Sequence, residues 1–207
     1  MKKAGILGSG AVAKALAKGF LSLNYDVMMG TSNPDKLKDV SGVKIGSFKE
    51  TSEFGDILVL AVKGTVAVDV LKNCAVDGKI IIDTTNPIED KPPVNGVLNF
   101  FTDHHSSLGE LLQNAYPKAH IVKAFNSVGS AFMVNPDFGG IQPTMFICGN
   151  NAEAKKTVSD LLSAWKWEIE DMGGIEASRA IEPLCMLWCI PGFRENRWTH
   201  AFKLLKK

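Results

Sequence analysis

The chain has 207 residues, of which 45% are hydrophobic and 22% are charged, a composition typical of a folded globular protein and not of a disordered one. Its 23 Lys and Arg residues nearly balance its 22 Asp and Glu residues, and the formal net charge of +1 argues against a surface for nucleic acid or an anionic membrane. No apolar stretch reaches the roughly 18 residues of a membrane-spanning helix, and four cysteines without a C-x-x-C pair favour a reducing, cytoplasmic location.

The first predicted strand, residues 4–7, leads directly into a glycine-rich turn and a helix over residues 11–23. The turn reads Gly8-Ser9-Gly10-Ala11-Val12-Ala13, a G-x-G-x-x-A pattern. Gly8 permits the tight turn, Gly10 lets the backbone approach a pyrophosphate, and Ala13 lets the helix lie close to the strand. Because the helix N-terminus also offers free N–H groups to an anion, the pattern predicts dinucleotide binding rather than a plain turn.

The second predicted strand, residues 26–29, ends where NAD sites usually carry Asp or Glu to bind the ribose 2′-hydroxyl. Here the segment reads Gly30-Thr31-Ser32-Asn33-Pro34-Asp35-Lys36, with no carboxylate before Asp35. A 2′-phosphate would instead meet the hydroxyls of Thr31 and Ser32, the amide of Asn33 and the charge of Lys36. We therefore predict NADP as the cofactor. A turn in which Asn33-Pro34 caps a short helix is the structural alternative, and it is compatible with that role.

The rest of the chain alternates strand-length apolar runs with helix-length segments. Further strands are predicted at 43–45, 57–62, 79–83, 121–125, 144–148 and 168–171, and further helices at 36–40 (a short turn), 65–73, 107–115, 152–164, 175–189 and 198–205. This alternation predicts an α/β fold, a Rossmann-type doubly wound and mostly parallel sheet with a short C-terminal helical extension. We expect one domain over residues 1–207, with a dinucleotide-binding core over 1–150 and a small C-terminal subdomain over 151–207.

Ligands of such folds bind beyond the carboxyl ends of the strands, which selects two further segments. Val62-Lys63 ends the fourth strand, and Lys63 there meets either a cofactor phosphate or only solvent. Thr84-Thr85-Asn86-Pro87 ends the fifth strand and is a candidate to hydrogen-bond the nicotinamide ribose or carboxamide. The predicted cofactor-binding residues are thus Gly8, Ser9, Gly10, Ala11, Val12, Thr31, Ser32, Asn33, Lys36, Val62, Lys63, Asn86 and Pro87. The irregular stretch 86–107 that follows is predicted to be a substrate lid, or else a loop without function.

The C-terminal part offers no metal site and no catalytic acid or base. Cys185 and Cys189 share a helix face with apolar neighbours, which favours core cysteines over metal ligands. Arg179 and Glu182 have the spacing of a structural ion pair along one helix face. Aromatic residues near the end favour either a homodimer surface or closure of the core, namely Trp188, Phe193, Trp198 and Phe202.

Several motifs resemble those of the deazaflavin-dependent (coenzyme F420) NADP oxidoreductases, and the resemblance covers essentially the whole chain. The glycine turn matches the family's opening motif, residues 30–36 match its G-S-R-x-x-x-K phosphate segment, and Cys148-Gly149-Asn150-Asn151 matches a later C-G-D/N run. The most specific match is the closing pattern, which reads here Asp171-Met172-Gly173-Gly174, Ser178-Arg179-Ala180-Ile181-Glu182-Pro183-Leu184, Leu187-Trp188 and Ala201-Phe202-Lys203-Leu204-Leu205.

The resemblance has one departure and one implication for the site. Ser32 stands where the family's phosphate segment has arginine, so the bidentate guanidinium clamp is missing, and weaker NADP affinity or relaxed cofactor choice is expected. The family's ring-contacting segment aligns with residues 126–131, which implies Val128 and Ser130 as positions in the acceptor pocket. A plain strand-to-helix turn is the alternative at the same place.

The resulting hypothesis is an NADP-dependent oxidoreductase that moves hydride between NADPH and a deazaflavin or flavin-like acceptor. Such a transfer needs positioning and exclusion of water rather than a catalytic side chain. Two alternatives stay open, a redox sensor that binds NADPH without turnover and a reductase of a small carbonyl or imine. The second is disfavoured because relatives of that kind need a long helical domain, and only about 30 residues follow the last predicted strand.

Overall fold

The computed structural model describes residues 2–207, which build a parallel sheet with helices on both faces. Within these residues the main sheet has the strand order β3-β2-β1-β4-β5-β6, with all neighbouring strands parallel. The strands are β1 (Lys3–Leu7), β2 (Asp26–Gly30), β3 (Lys44–Gly46), β4 (Ile57–Leu60), β5 (Ile80–Asp83) and β6 (His120–Lys123). The order reverses between β1 and β4, which is the switch point of a doubly wound fold. The predicted Rossmann-type fold is confirmed.

Alternate residues of the central strands face two apolar clusters, one on each side of the sheet. Val59 and Ile82 belong to one cluster, whereas Leu58 and Ile81 belong to the other. The helices are α1 (Ala11–Ser22), α2 (Phe48–Phe54), α3 (Ala67–Leu71), α4 (Leu108–Ala115), α5 (Ala152–Ala164) and α6 (Ser178–Glu195). Helices α1 and α5 cover the first face, and α3 and α4 cover the second. Burial on both faces explains why these strands read as continuous apolar runs.

A second parallel sheet, β7 (Thr144–Ile147) with β8 (Glu168–Asp171), continues the same core. Trp165, at the end of α5, is fully buried, and its ring meets Phe20 of α1 edge-on with centroids 5.1 Å apart. Its indole N–H donates to the carbonyl of Gly19 at 3.3 Å. The segment containing the second sheet is therefore joined to the main sheet through α1.

The last helix differs from the predicted span 175–189. A 3₁₀ turn over Ile175–Ala177 comes first, and α6 then runs to Glu195 through Pro183 and Pro191. A proline inside a helix removes a backbone donor and favours termination, and the predicted span ends two residues before Pro191. Here tertiary contacts outweigh that tendency, because Trp198 folds back onto the last turn at Gly192.

The helix predicted at 198–205 is wrong. The chain leaves α6 at Asn196, which has a left-handed φ of 51°, and then follows the edge of β7. The Thr144 N–H donates to the Phe202 carbonyl at 2.9 Å, and Lys203 pairs with Glu168 at 2.7 Å. The edge of β7 thus offers this segment a backbone partner, and Glu168 of β8 offers a charge partner, both of which a separate helix would lack.

Strands β4 and β6 both end two residues earlier than predicted, and β4 ends at Leu60 rather than at position 62. Strand β6 ends two residues before position 125, because Phe125 takes a left-handed φ of 64°.

Across residues 2–207, the longest apolar helices fall short of what crossing a lipid bilayer requires.

Candidate functional site

A cleft of about 820 Å³ opens at the carboxyl ends of β1, β4 and β5. Most of the predicted cofactor-binding residues line it, namely Gly8, Ser9, Gly10, Ala11, Val12, Thr31, Ser32, Lys36, Val62, Lys63 and Asn86. Asn33 and Pro87 are not among the lining residues of the described chain. Apolar side chains that the sequence did not single out add to the walls, including Phe48, Val66 and Ile88.

The glycine turn forms a cradle at one wall of this cleft. Gly8 has a φ of 144°, and a Cβ on it would lie 2.2 Å from the Ala61 carbonyl oxygen, so only glycine fits. Gly10 has open space instead, with no atom within 4 Å of where its Cβ would stand. No side chain caps α1 at Gly10, and the N–H groups of the first helical turn have no acceptor within their own helix. The cradle fits a phosphate group.

The segment after β2 presents polar groups to the same cleft. The Thr31 hydroxyl donates to that of Ser9 at 3.1 Å, so the glycine turn and this segment are directly joined. Asn33 accepts from the Asp35 N–H at 3.1 Å and caps the 3₁₀ helix Pro34–Leu37, which is the structural role that the sequence offered as an alternative. Asp35 pairs with Lys38 at 2.8 Å, whereas Lys36 lines the cleft. An anion beside Ser32 would therefore face Lys36.

The opposite rim carries both charges and amides. Lys63 pairs with Asp90 of the irregular loop at 2.6 Å, and both side chains are exposed. This contact provides a partner for Lys63 that the sequence did not suggest. Asn86 donates from its side chain to the Asn126 carbonyl at 2.8 Å, which fixes the orientation of its amide at the cleft.

A buried ion cluster behind the cleft was missed by sequence reasoning. The Lys123 ammonium lies 2.6 Å from Asp83, 2.8 Å from Glu182 and 2.9 Å from the Thr85 carbonyl, and all three charged side chains are at most 2% exposed. Burial alone lowers the pKa of Lys123, but the two carboxylates outweigh burial and hold the pKa above its ordinary value. The sequence feature that could have revealed this cluster is Lys123, a lysine inside the apolar run of β6.

The Arg179–Glu182 ion pair expected from the helix spacing is wrong. Arg179 pairs with Glu110 of α4, with Nε 2.9 Å from Oε2, while Glu182 turns inward to Lys123. The hydrogen bond from Arg179 holds the pKa of Glu110 below its usual value. Nearby, burial raises the pKa of the Cys148 thiol to about 11, so this cysteine is inert at neutral pH.

Residues 126–131, the predicted pocket floor, lie beside the C-terminal aromatic residues rather than in the cleft. Val128 is 8% exposed, and a Cβ on Gly129 would stand 3.1 Å from the Trp188 ring. A 3₁₀ turn over Ser130–Phe132 follows, as the structural alternative proposed. Of the residues that the structure describes, the cleft lining excludes both Val128 and Ser130.

The cysteines and the other titratable side chains give no metal centre in the described part of the chain. Residues 2–207 hold no group of three or more His, Cys, Asp or Glu side chains arranged for a metal ion. Cys185 is buried and Cys189 is partly exposed on α6.

Comparison with known proteins matches the first part of the chain to a protein family and most of its length to individual proteins. Residues 3–87 match the family model described as NADP oxidoreductase, coenzyme F420-dependent. The chain is 30% identical over 197 residues to the metalloreductase STEAP3 of Rattus norvegicus, an alignment that covers 91% of this chain and 38% of that protein. It is also 30% identical over 150 residues to an F420-dependent NADP reductase of Methanocaldococcus jannaschii, covering 67% of this chain and 63% of that protein.

A solved structure matches over the full length. A crystal structure from Arthrobacter sp. FB24, provisionally assigned as an F420-dependent NADP-reductase, superposes with a TM-score of 0.90 at 26% identity and covers 100% of both chains. By contrast, the chain spans only 38% of the length of the rat relative and 63% of the length of the archaeal relative.

Proposed function

We propose that the chain binds NADPH and supports hydride transfer to or from a deazaflavin or flavin-like acceptor, on the premise that residues 3–87 match the family model of the coenzyme F420-dependent NADP oxidoreductases. The family match confirms the resemblance drawn from the sequence motifs. The observation that carries the proposal is the glycine cradle, with uncapped helix N–H groups that open into a cleft of about 820 Å³.

The cleft lining suggests where each part of the cofactor binds. The pyrophosphate would lie against residues 8–12, and the 2′-phosphate beside Thr31, Ser32 and Lys36. Asn33 uses its side-chain oxygen in the helix cap, so only its NH₂ group is left for the ligand. The nicotinamide would lie toward Asn86, at the carboxyl end of β5.

The chain's own contribution to the reaction is positioning. NADPH supplies the hydride when bound. The Thr84 hydroxyl donates to the Leu60 carbonyl at 2.9 Å and the Asn86 amide is held by Asn126, so both side chains present fixed polar groups to the cleft. Ile88 and Val66 add apolar wall that limits access of water. Hydride transfer moves no proton at these residues, so no acid or base is required.

The acceptor and the setting of the protein are parts of the same proposal. Val128 and Ser130, on either side of Gly129, stay proposed positions on the acceptor side, and a deazaflavin or flavin is the proposed second substrate. Reduction of a metal ion is a second candidate, because the rat relative that matches 91% of this chain is a metalloreductase. We propose a cytoplasmic protein with a small-molecule partner and a homodimer. The dimer surface would use the exposed Phe193, because Trp188 and Trp198 pack against each other within the chain.

A thermal-shift comparison tests cofactor binding. A ligand at a hundred times its Kd adds about 2.7 kcal/mol of stability, which for a chain of this size raises Tm by about 5–10 °C. We expect NADPH to give such a shift and NADH a smaller one. Equal Tm values with and without NADPH at millimolar concentration would contradict the proposal.

The Ser32→Arg variant tests where the 2′-phosphate binds. A guanidinium restores the bidentate contact that the family motif has, so NADPH should bind about tenfold more tightly while NADH binding stays the same. Ser32→Gln, which lengthens the side chain and keeps it polar without adding a charge, is the control. An equal gain in affinity for NADPH and NADH would show that Ser32 does not face the 2′-phosphate.

The acceptor is identified by the loss of NADPH absorbance in the presence of a deazaflavin, FAD or ferric citrate. Turnover with the first two supports the proposal, and turnover with ferric citrate alone supports metal reduction. Tight NADPH binding without any turnover would favour the redox-sensor alternative.

A further inference from the structure

The irregular loop between β5 and α4, residues 87–107, forms part of the cleft wall. Ile88, Glu89 and Asp90 line the cleft from this loop. The loop is folded on itself as a narrow ribbon, in which the Phe101 N–H donates to the Pro87 carbonyl at 2.9 Å and the Glu89 N–H to the Asn99 carbonyl at 2.8 Å. Such a ribbon moves as a unit, so its position depends on how its two ends are held.

The first end is fixed by the buried cluster. Asp83 accepts from the backbone N–H and the hydroxyl of Thr85 at 2.9 and 2.6 Å, and Lys123 donates to the Thr85 carbonyl at 2.9 Å. The next residue, Asn86, is tied to Asn126, whose amide also donates to the Ile181 carbonyl of α6 at 2.9 Å. The residues just before the loop are thus bound to β6 and α6.

The second end is fixed by the same cluster. Glu182 accepts from the N–H groups of Leu108 at 3.0 Å and Gly109 at 2.9 Å, the first two residues of α4. These donors have no acceptor within their own helix, and the positive helix end favours the carboxylate. Glu182 also bonds Lys123, so one ion pair connects the residues on both sides of the loop.

The tip of the loop also rests on α6. A Cβ on Gly96 would stand 2.9 Å from the Arg194 side chain and 3.3 Å from the Ile190 carbonyl, and Gly96 has a φ of 85°. Helix α6 therefore touches the loop at its tip and, through Glu182, at its end.

We propose that Lys123 and Glu182 are positioning residues that fasten both ends of the loop 87–107 and thereby hold the cleft wall formed by residues 88–90 in its ligand-binding position. The chemistry favours this role over simple stabilisation, because the further contacts of the pair, apart from the one between Lys123 and Asp83, go to residues that flank the loop. The fastening stands on the geometry alone, whereas its effect on NADPH affinity rests on the proposed function.

The test compares Glu182→Gln with Arg179→Gln. In Glu182→Gln the Lys123–Asp83 pair stays neutral, but a single amide oxygen replaces two carboxylate oxygens, so at least one N–H of α4 loses its acceptor. Arg179→Gln is the matched control, because it breaks an exposed ion pair between the same two helices. Amide hydrogen exchange followed by mass spectrometry reports on the loop, and NADPH titration reports on the cleft.

We expect Glu182→Gln to speed exchange of residues 87–107 by about tenfold while exchange in β1 and α1 stays within about twofold, and to weaken NADPH binding about threefold to tenfold. Arg179→Gln should change both measurements by less than about twofold. Exchange that rises equally throughout the chain, or a loop that stays as protected as in the parent, overturns the proposal. If the unmodified protein binds no NADPH but exchange in the loop still rises in Glu182→Gln, the proposed function is refuted and the fastening of the loop stands.

The unmodified protein gives a second measurement if the variant does not fold. The N–H groups of Leu108 and Gly109 should exchange about a hundredfold more slowly than those of Ala152 and Glu153, which occupy the same first two positions of α5 but have no such carboxylate. Equal exchange at the two helix starts contradicts the fastening by Glu182.

Discussion

At the scale of single residues, two glycines of the first turn serve different needs. Gly8 is required by the fold, because its φ of 144° and the Ala61 carbonyl leave no room for a side chain. Gly10 has an ordinary φ of −81° and open space where its Cβ would stand. Its lack of a side chain has no structural cause in the described chain, which is what a ligand-binding glycine should show.

The two positions can be separated by substitution. Gly10→Val should leave Tm nearly unchanged and weaken NADPH binding by about a hundredfold or more, because the side chain fills the phosphate cradle. Gly8→Ala should instead destabilise the fold by about 2–4 kcal/mol, since strain and a backbone clash coincide there. Urea unfolding and NADPH titration of both variants check this, and a folded Gly10→Val protein with parental affinity would refute the cradle.

At the scale of elements, the end of α6 and the segment after it stabilise each other. A Cβ on Gly192 would stand 2.2 Å from the Trp198 ring, so the ring lies directly on the helix backbone. Trp188 joins the same group, since its indole N–H donates to the His200 carbonyl at 2.8 Å and its ring stacks on His200. These contacts direct the chain from α6 across Gly129 to the edge of β7.

A double-mutant cycle measures this contact. Gly192→Ala should cost about 1–3 kcal/mol of unfolding free energy, because displacement of Trp198 outweighs the gain in helix propensity. In a Trp198→Ala background the same change should be neutral or stabilising by about 0.5–1 kcal/mol. If Gly192→Ala lowers the unfolding free energy equally in the parent and in the Trp198→Ala background, the Trp198 ring does not rest on Gly192.

At the scale of the whole molecule, the two sheets share one core. Trp165 lies between α5 and α1, and Trp167 donates from its indole N–H to the Met133 carbonyl at 2.9 Å. Both rings are almost fully buried. We therefore propose that the dinucleotide-binding core over 1–150 and the smaller part over 151–207 fold as one domain.

Urea unfolding tests the single domain. Tryptophan fluorescence reports mainly on the second part, which holds Trp165, Trp167, Trp188 and Trp198. Far-UV circular dichroism reports on the whole chain, and the two curves should coincide in a single transition. Two separated midpoints would show that residues 151–207 unfold as an independent subdomain.

The elements with short-range signals were predicted well. Helix α5 and strand β8 have the predicted bounds, and the glycine turn occurs between β1 and α1. The end of β6 and the segment 198–205 were mispredicted, because Phe125 takes a left-handed conformation and the last segment pairs with β7. Neither cause leaves a pattern among neighbouring residues.

The sequence by itself determined the parallel fold, the glycine cradle and the polar segment after β2, because each depends on residues close together in the chain. Only the tertiary structure decided that Glu182 turns away from Arg179, three residues earlier, and instead binds Gly109, 73 residues away. Burial is the physical reason. A charge removed from water must find opposite charge and hydrogen-bond donors wherever the fold supplies them, and helix spacing carries no information about those distant groups.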